Sequence, residues 1–185
     1  MKTVRIAGAR QQALLASTVR QNLLDTLCAA RAASVRVLAG EVGMRPSAIY
    51  YHLQLLERAG LVQRRRPRSG PGRQEAVFRA AAPRLVVEHD LRTAPGRRAS
   101  GRMARALLRA AARDFEAGLR SPAARTRSPG RNLWASRSKA WLTGDEIASI
   151  DRHLEAIERL VLGARRGPRR TLCAVSWVLA PLDAR

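Results

Sequence analysis

Residues 35–62, VRVLAGEVGMRPSAIYYHLQLLERAGLV, constrain this chain more than any other stretch. Val35, Leu38 and Val42 recur at helical spacing after Ser34, a residue type that caps helix N-termini. Gly43 supplies a tight turn, and Pro46 suits the first position of a second helix. That helix is expected to run to about Ala59 and to stop at Gly60, with an apolar strand following. Two helices joined in this way form a motif whose second helix can lie in a DNA major groove.

The second helix divides into faces. Ile49, Leu53 and Leu56 make the stripe expected in the core, while Ser47, Tyr51 and Gln54 project roughly opposite, with Tyr50 and His52 on the flanks. Pro46, Ser47 and Ala48 are compact enough to approach base edges. Ser47 and Gln54 can hydrogen-bond there, and Tyr50 and Tyr51 can reach a thymine methyl or a phosphate. Tyr50 also fits a packing role, and His52 fits an internal hydrogen bond as well as a phosphate contact. Arg45, Arg64, Arg65, Arg66, Arg68 and Arg73 border the helix from the turn, the next strand and its loop. They suit phosphate contact, and an arginine at the loop tip can enter a minor groove.

Around this unit the pattern predicts a mainly α fold: a winged helix-turn-helix with a two-stranded wing and further C-terminal helices for dimerisation. Leu14 to Leu27 reads as one helix or as two broken near Ser17, ending around Ala29 to Ala33. Leu61 to Arg66 and Gln74 to Ala80 read as the wing strands, joined by PRSGPGR, with Val77 expected to face the helices. Residues 85–91 are less legible, and Pro95 and Gly96 are expected to break the chain there. From Ala99 to about Leu119 a helix is expected, with Met103, Leu107, Ala111 and Phe115 on one face. Arg98, Arg102, Arg105, Arg109 and Arg113 form a basic stripe on another, fitting either a solvated surface or DNA contact.

Residues 120–142 read as a linker by composition. Thr143 and Glu146 then match a capping box, and Ile147, Ile150, Leu154, Ile157 and Val161 follow as a seam for a partner helix. This last helix is rich in acids and is read as a dimer interface rather than a DNA face. The apolar tail 172–182 is expected to pack back on it. The division is therefore 10–82 for the DNA-binding unit, 83–119 for a basic helical extension, 120–142 for the linker and 143–185 for dimerisation.

The formal charge of +21 repels the compact state and attracts polyanions, nucleic acid before an anionic membrane. Arginine carries nearly all of it, since lysine occurs only at Lys2 and Lys139. Cys28 and Cys173 stand alone, so neither a disulfide framework nor a metal site is indicated. No apolar run reaches the ~18 residues of a membrane span, and the N-terminus lacks a signal-peptide core, which makes cytoplasmic the expectation. His52, His89 and His153 are scattered without partners, and GPGR at 70–73 is too short for a phosphate loop. No catalytic residues, cofactor or metal are expected.

RQNLLDTL (residues 20–27), LAGEVGMRPSAIYYHL (38–53) and LLERAGLV (55–62) resemble the ArsR-like winged helix-turn-helix regulators of bacteria, over roughly residues 10–80. The resemblance implies a homodimer on a palindromic or near-palindromic double-stranded DNA operator, acting as a repressor released by a signal. It also implies DNA contact at the positions of Ser47, Tyr50, Tyr51 and His52 and backbone or minor-groove contact by the wing. The chain departs from the metal-sensing branch, which places cysteines in or beside the helix before the turn. Here that helix reads Leu38, Ala39, Gly40, Glu41 and Val42, so metal sensing is disfavoured, with a redox role for Cys28 left open. An effector pocket bounded by Trp134, Trp141 and Trp177 is one reading of the extension, and plain packing of these rings is the other. The alternative function is a non-specific architectural nucleic-acid binder or a winged-helix protein-interaction module.

Overall fold

The computed structural model describes residues 3–65, 75–164, 167–168 and 170–182. In chain order the elements are β1 (Thr3–Ile6), α1 (Ala9–Leu15), α2 (Thr18–Ala30), β2 (Ala33–Ser34), α3 (Val35–Val42), α4 (Pro46–Arg58), β3 (Val62–Arg65), β4 (Val77–Ala80), β5 (Arg84–Val87), α5 (Ala94–Leu119) and α6 (Gly144–Gly163). The break at Ser17 is real, because Ser17 adopts an extended conformation at the N-cap of α2. Arg31 ends that helix at φ 68, a conformation few non-glycine residues adopt.

The core forms where α2, α3 and α4 meet the inner face of a three-stranded sheet ordered β2-β4-β3. Leu23, Leu27, Leu38, Ile49, Leu53, Leu56 and Leu61 are fully buried there. The sheet has one strand more than expected. β2 pairs Ala33 with Phe78 and Ser34 with Val77, while the hairpin runs from Val62 opposite Ala80 to Arg65 opposite Val77. Ser34 thus serves both sheet and helix, since its Oγ accepts from the Val37 amide at 3.4 Å and caps α3. Phe78, not Val77, turns into the core; Val77 is half-buried.

A second, two-stranded sheet went unread in the sequence. β1 pairs in parallel with β5, Thr3 opposite Arg84 and Ile6 opposite Val87. Parallel pairing needs a long crossover, and here the whole helix-turn-helix unit provides it. Gln12 closes the junction from inside, its amide donating to the carbonyl of Glu88 at 2.5 Å.

α5 begins five residues earlier than the glycine and proline suggested. Thr93 caps it, accepting from the Gly96 amide at 3.1 Å, and Pro95 falls in the first turn, where its missing N–H costs no helical bond. Its buried face is Ala99, Met103, Ala106 and Ala110, packed on α1 and α2. The expected face of Met103, Leu107, Ala111 and Phe115 is rotated away from this, leaving the last three only partly covered. The capping box of α6 forms in full, Thr143 N donating to Glu146 Oε2 at 2.8 Å and Glu146 N to Thr143 Oγ1 at 3.3 Å.

The tail does not pack back. Leu172, Val178 and Leu182 are exposed, and residues 170–182 form no regular structure. Among the described residues no helix is long and apolar enough to cross a membrane.

Candidate nucleic-acid interface

Gly43 sets the angle between α3 and α4. It stands at φ 65 as the left-handed cap of α3, donating its amide to the carbonyl of Gly40 at 3.3 Å, and the Met44 amide returns to Ala39 at 3.0 Å. Arg45 then leads into α4 with extended backbone and no side-chain cap, and Pro46 opens the helix. The consequence is an α4 N-terminus in the open, with Arg45 and Ser47 exposed and Ala48 half-buried.

Burial of Ile49, Leu53 and Leu56 at 0 % exposure fixes the rotation of α4. It leaves Ser47, Tyr51 and Gln54 in one exposed row at three-four spacing. Tyr51 is 61 % exposed and Tyr50 only 36 %, so Tyr51 projects from the row and Tyr50 lies along its edge. Arg58 continues the row by one turn and is exposed. It went unremarked as a candidate although the same spacing points to it.

His52 stands half-buried beside this row, its ring edge-to-face with Tyr51 at 5.4 Å between centroids. Its Nδ1 is buried without a hydrogen-bond partner. Burial first, and Arg20 second, hold its pKa below the ordinary histidine value, which favours a neutral ring at neutral pH. An internal hydrogen bond, one of the two expectations for His52, is thus not formed at that nitrogen. Arg20 is the residue sequence reasoning missed here. It reaches from α2 toward Tyr51 and His52 and is anchored by its Nε on the carbonyl of Leu14. Its signal was faint, a single arginine at the head of a helix distant in sequence.

On the wing, Arg64 and Arg65 are exposed on β3 beside Gln63, which accepts from Arg79 across the hairpin at 3.0 Å. Glu75 accepts from the Arg36 amide at 2.6 Å, joining the returning chain to the first turn of α3. Arg66, Arg68 and Arg73 lie outside the described residues. Along α5, Arg98, Arg102, Arg105, Arg109 and Arg113 are all exposed.

The remaining candidates divide clearly. Trp134, Trp141 and Trp177 are 65 %, 89 % and 39 % exposed, so they enclose no pocket; Trp134 instead lies under the Arg131 guanidinium at 3.5 Å. Cys28 is held in the fold with its thiol toward the Ala82 carbonyl at 3.9 Å. Burial foremost pushes that thiol up to about 11, the opposite of a reactive cysteine. Among the described residues no group of three or more His, Cys, Asp or Glu side chains is placed to hold a metal ion.

Residues 15–65 match a family model described as a helix-turn-helix domain, a span that runs from the end of α1 through α4 to the end of β3. No curated protein matches the chain in sequence. A helix-turn-helix domain supports a DNA-binding regulatory role in general.

Proposed function

We propose that the chain, whose residues 15–65 match a helix-turn-helix domain family, is a homodimeric transcriptional regulator that reads a palindromic operator and represses until a signal releases it. The observation that carries this reading is the exposed row of Ser47, Tyr51 and Gln54 directly above the fully buried Ile49, Leu53 and Leu56. Groups able to hydrogen-bond to bases are held by a rigid core on the outer face of the helix that follows the turn. Gln54 is the side chain best suited to a bidentate contact with adenine, and Ser47 sits where the helix comes closest to the base edges. Arg45, Arg64 and Arg65 border the row and supply phosphate contacts, which give affinity without sequence information.

Dimerisation belongs to α6. No residue of that helix is buried, and Ile147, Ile157 and Val161 remain 46 %, 39 % and 46 % exposed. An apolar row of this kind on a charged helix is stabilised by covering it, and a second copy presents two recognition helices to two half-sites.

Selection of bound sequences from a random duplex pool, with full-length protein at about 0.15 M salt, tests the reading. A two-fold symmetric motif is expected, with half-site centres one or more helical turns apart. Gln54→Ala should relax preference at one position of each half-site, while Arg64→Gln with Arg65→Gln should weaken all sequences alike and flatten the salt dependence. Recovery of bulk DNA without enrichment would replace this reading with the architectural one.

A further inference from the structure

We infer that the partner of α6 is α5 of the second copy, the two helices running antiparallel; this rests on the dimeric reading above. α5 is apolar on two opposite sides. Its inner face is buried on α1 and α2. At about 3.6 residues per turn, Gly101, Ala104, Leu108, Ala111 and Phe115 line up on the far side. Leu108 is 52 % exposed and the other four are half-covered. A surface helix with one neighbour needs one apolar face. The second face on α5 therefore calls for a second helix, as does the seam of α6, where Ile147, Ile157 and Val161 are exposed and Ile150 and Leu154 half-covered.

Charge selects which helix. Beside the outer row of α5 runs the exposed row Arg98, Arg102, Arg105 and Arg109, and among the described residues none of these has a carboxylate within ion-pair distance. Beside the seam of α6 run the exposed Asp151 and Glu155, while Glu158 on the same side is held by Arg84 of its own chain. Viewed from the N-terminus, each charged row lies on the same hand of its apolar row. Same-handed flanks meet when two helices pack antiparallel, so an antiparallel α5–α6 pair sets arginines against acids. An antiparallel pair of α6 helices would set acids against acids. A parallel pair would place them beside Glu146, His153 and Leu160, with no arginine to meet.

The rows also agree in register. With Leu108 set opposite the partner's Leu154, Ala104 falls at the partner's Ile157 and Gly101 at the partner's Val161. In the other direction Ala111 falls at the partner's Ile150 and Phe115 at the partner's Ile147. Gly101, Ala104 and Ala111 of α5 thus receive branched residues of α6 on either side of the central leucines, the alternation that close helix packing favours, and Phe115 meets Ile147 only at the end of the row. The same register brings Arg105 to the partner's Glu155 and Arg109 to the partner's Asp151. Among the described residues Glu155 bonds only its own neighbour Arg159, at 3.5 Å and in the open. By two-fold symmetry each contact is made twice.

The test is a charge swap in the full-length chain, read by sedimentation equilibrium at physiological salt, with circular dichroism confirming the fold. The wild type is expected to be a dimer. Arg105→Glu with Arg109→Glu, and separately Asp151→Arg with Glu155→Arg, should each raise the dimer dissociation constant about tenfold or more. The chain carrying all four changes should recover the dimer, because both reversed rows again face opposite charge. A wild-type dimer indifferent to either reversal, or weakened by both and not restored by their combination, would overturn the α5–α6 pairing and leave dimerisation standing. A monomeric wild type would overturn the dimer itself.

Discussion

The backbone amide of Arg64 donates to Glu57 Oε1 at 3.2 Å, tying the first wing strand to the last turn of α4. Gly60 turns the chain between them at φ 72, its own amide donating to the Glu57 carbonyl at 2.9 Å. Glu57 therefore relates the orientation of the wing to that of α4. Glu57→Ala should cost about 0.5–1 kcal/mol in urea unfolding. The value is modest because the bond is exposed and a carboxylate at a helix C-terminus is itself unfavourable. Glu57→Gln keeps an acceptor and should retain operator affinity, whereas the alanine variant should lose part of it through the loosened wing.

Gly43 is required for its backbone and not for space. A Cβ there would meet nothing within 4 Å, yet the residue stands at φ 65. Gly43→Ala should therefore destabilise by about 1 kcal/mol, the left-handed conformation being the whole of the cost. A melt that leaves the variant unchanged would show that the turn relaxes to another conformation. Gly40→Ala, with equally open space and ordinary helical backbone, is the internal comparison and should be neutral or slightly stabilising.

Leu53 lies at 0 % exposure within the buried core cluster that includes Leu23, Leu27, Leu38, Ile49 and Leu56. Leu53→Ala removes apolar contact and leaves a cavity that rigid α4 cannot collapse into, at a cost of about 2–5 kcal/mol. The exposed row would lose its support together with the core. DNA binding and thermal stability should therefore fall together in Leu53→Ala, whereas Gln54→Ala, one residue on, should change binding and leave the melting temperature within about a degree.

What was legible in the sequence followed from local physics. Ser34, Gly43, Pro46 and Gly60 mark helix ends by capping, turn and ring chemistry that depends on few neighbours, and α3 and α4 begin and end where those residues stand. Thr143 and Glu146 did the same for α6. The parallel pairing of Thr3 with Arg84 joins segments some eighty positions apart, and four-residue strands carry too little alternation to announce it. The α5 face was misjudged because alanines fill both of its apolar rows, and helical spacing alone does not say which row meets α2. Of the candidate interface, the order Ser47, Tyr51, Gln54 could be read from spacing, whereas the approach of Arg20 depends on how α2 crosses α4.

Asp25 on α2 predicts a pH effect. Its surface is open, yet the crowding of α2 against α5 withdraws water from the carboxyl and Asp114 adds like charge. Together they push its pKa up to about 6 from the ordinary 3.8. The folded chain thus binds this proton more readily than the unfolded one. The resulting stabilisation is full below about 4 and is lost as pH rises through about 6. Asp25→Asn should accordingly raise the melting temperature at pH 7.5 by about one to two degrees, a figure kept small by solvent screening. At pH 4 the variant and the wild type should melt together; an equal gain at both values would assign the effect to packing.

Cys28 and Cys173 should differ in reactivity by position alone. Cys173 is exposed in the tail, whereas Cys28 is held on α2 with its thiol toward the Ala82 carbonyl and its pKa raised to about 11 by burial and by Asp25. The thiolate is the reacting species, and at pH 7.5 a thiol of that pKa is ionised in fewer than about one molecule in a thousand. Treating the native chain with a thiol-specific chromophore should release one equivalent promptly and a second only on unfolding in guanidinium. The same experiment on Asp25→Asn removes the neighbouring carboxylate and should quicken Cys28 only slightly, since desolvation is the larger cause. Prompt reaction of both thiols in the native chain would show that the α2 surface opens, and would return Cys28 to consideration as a redox site.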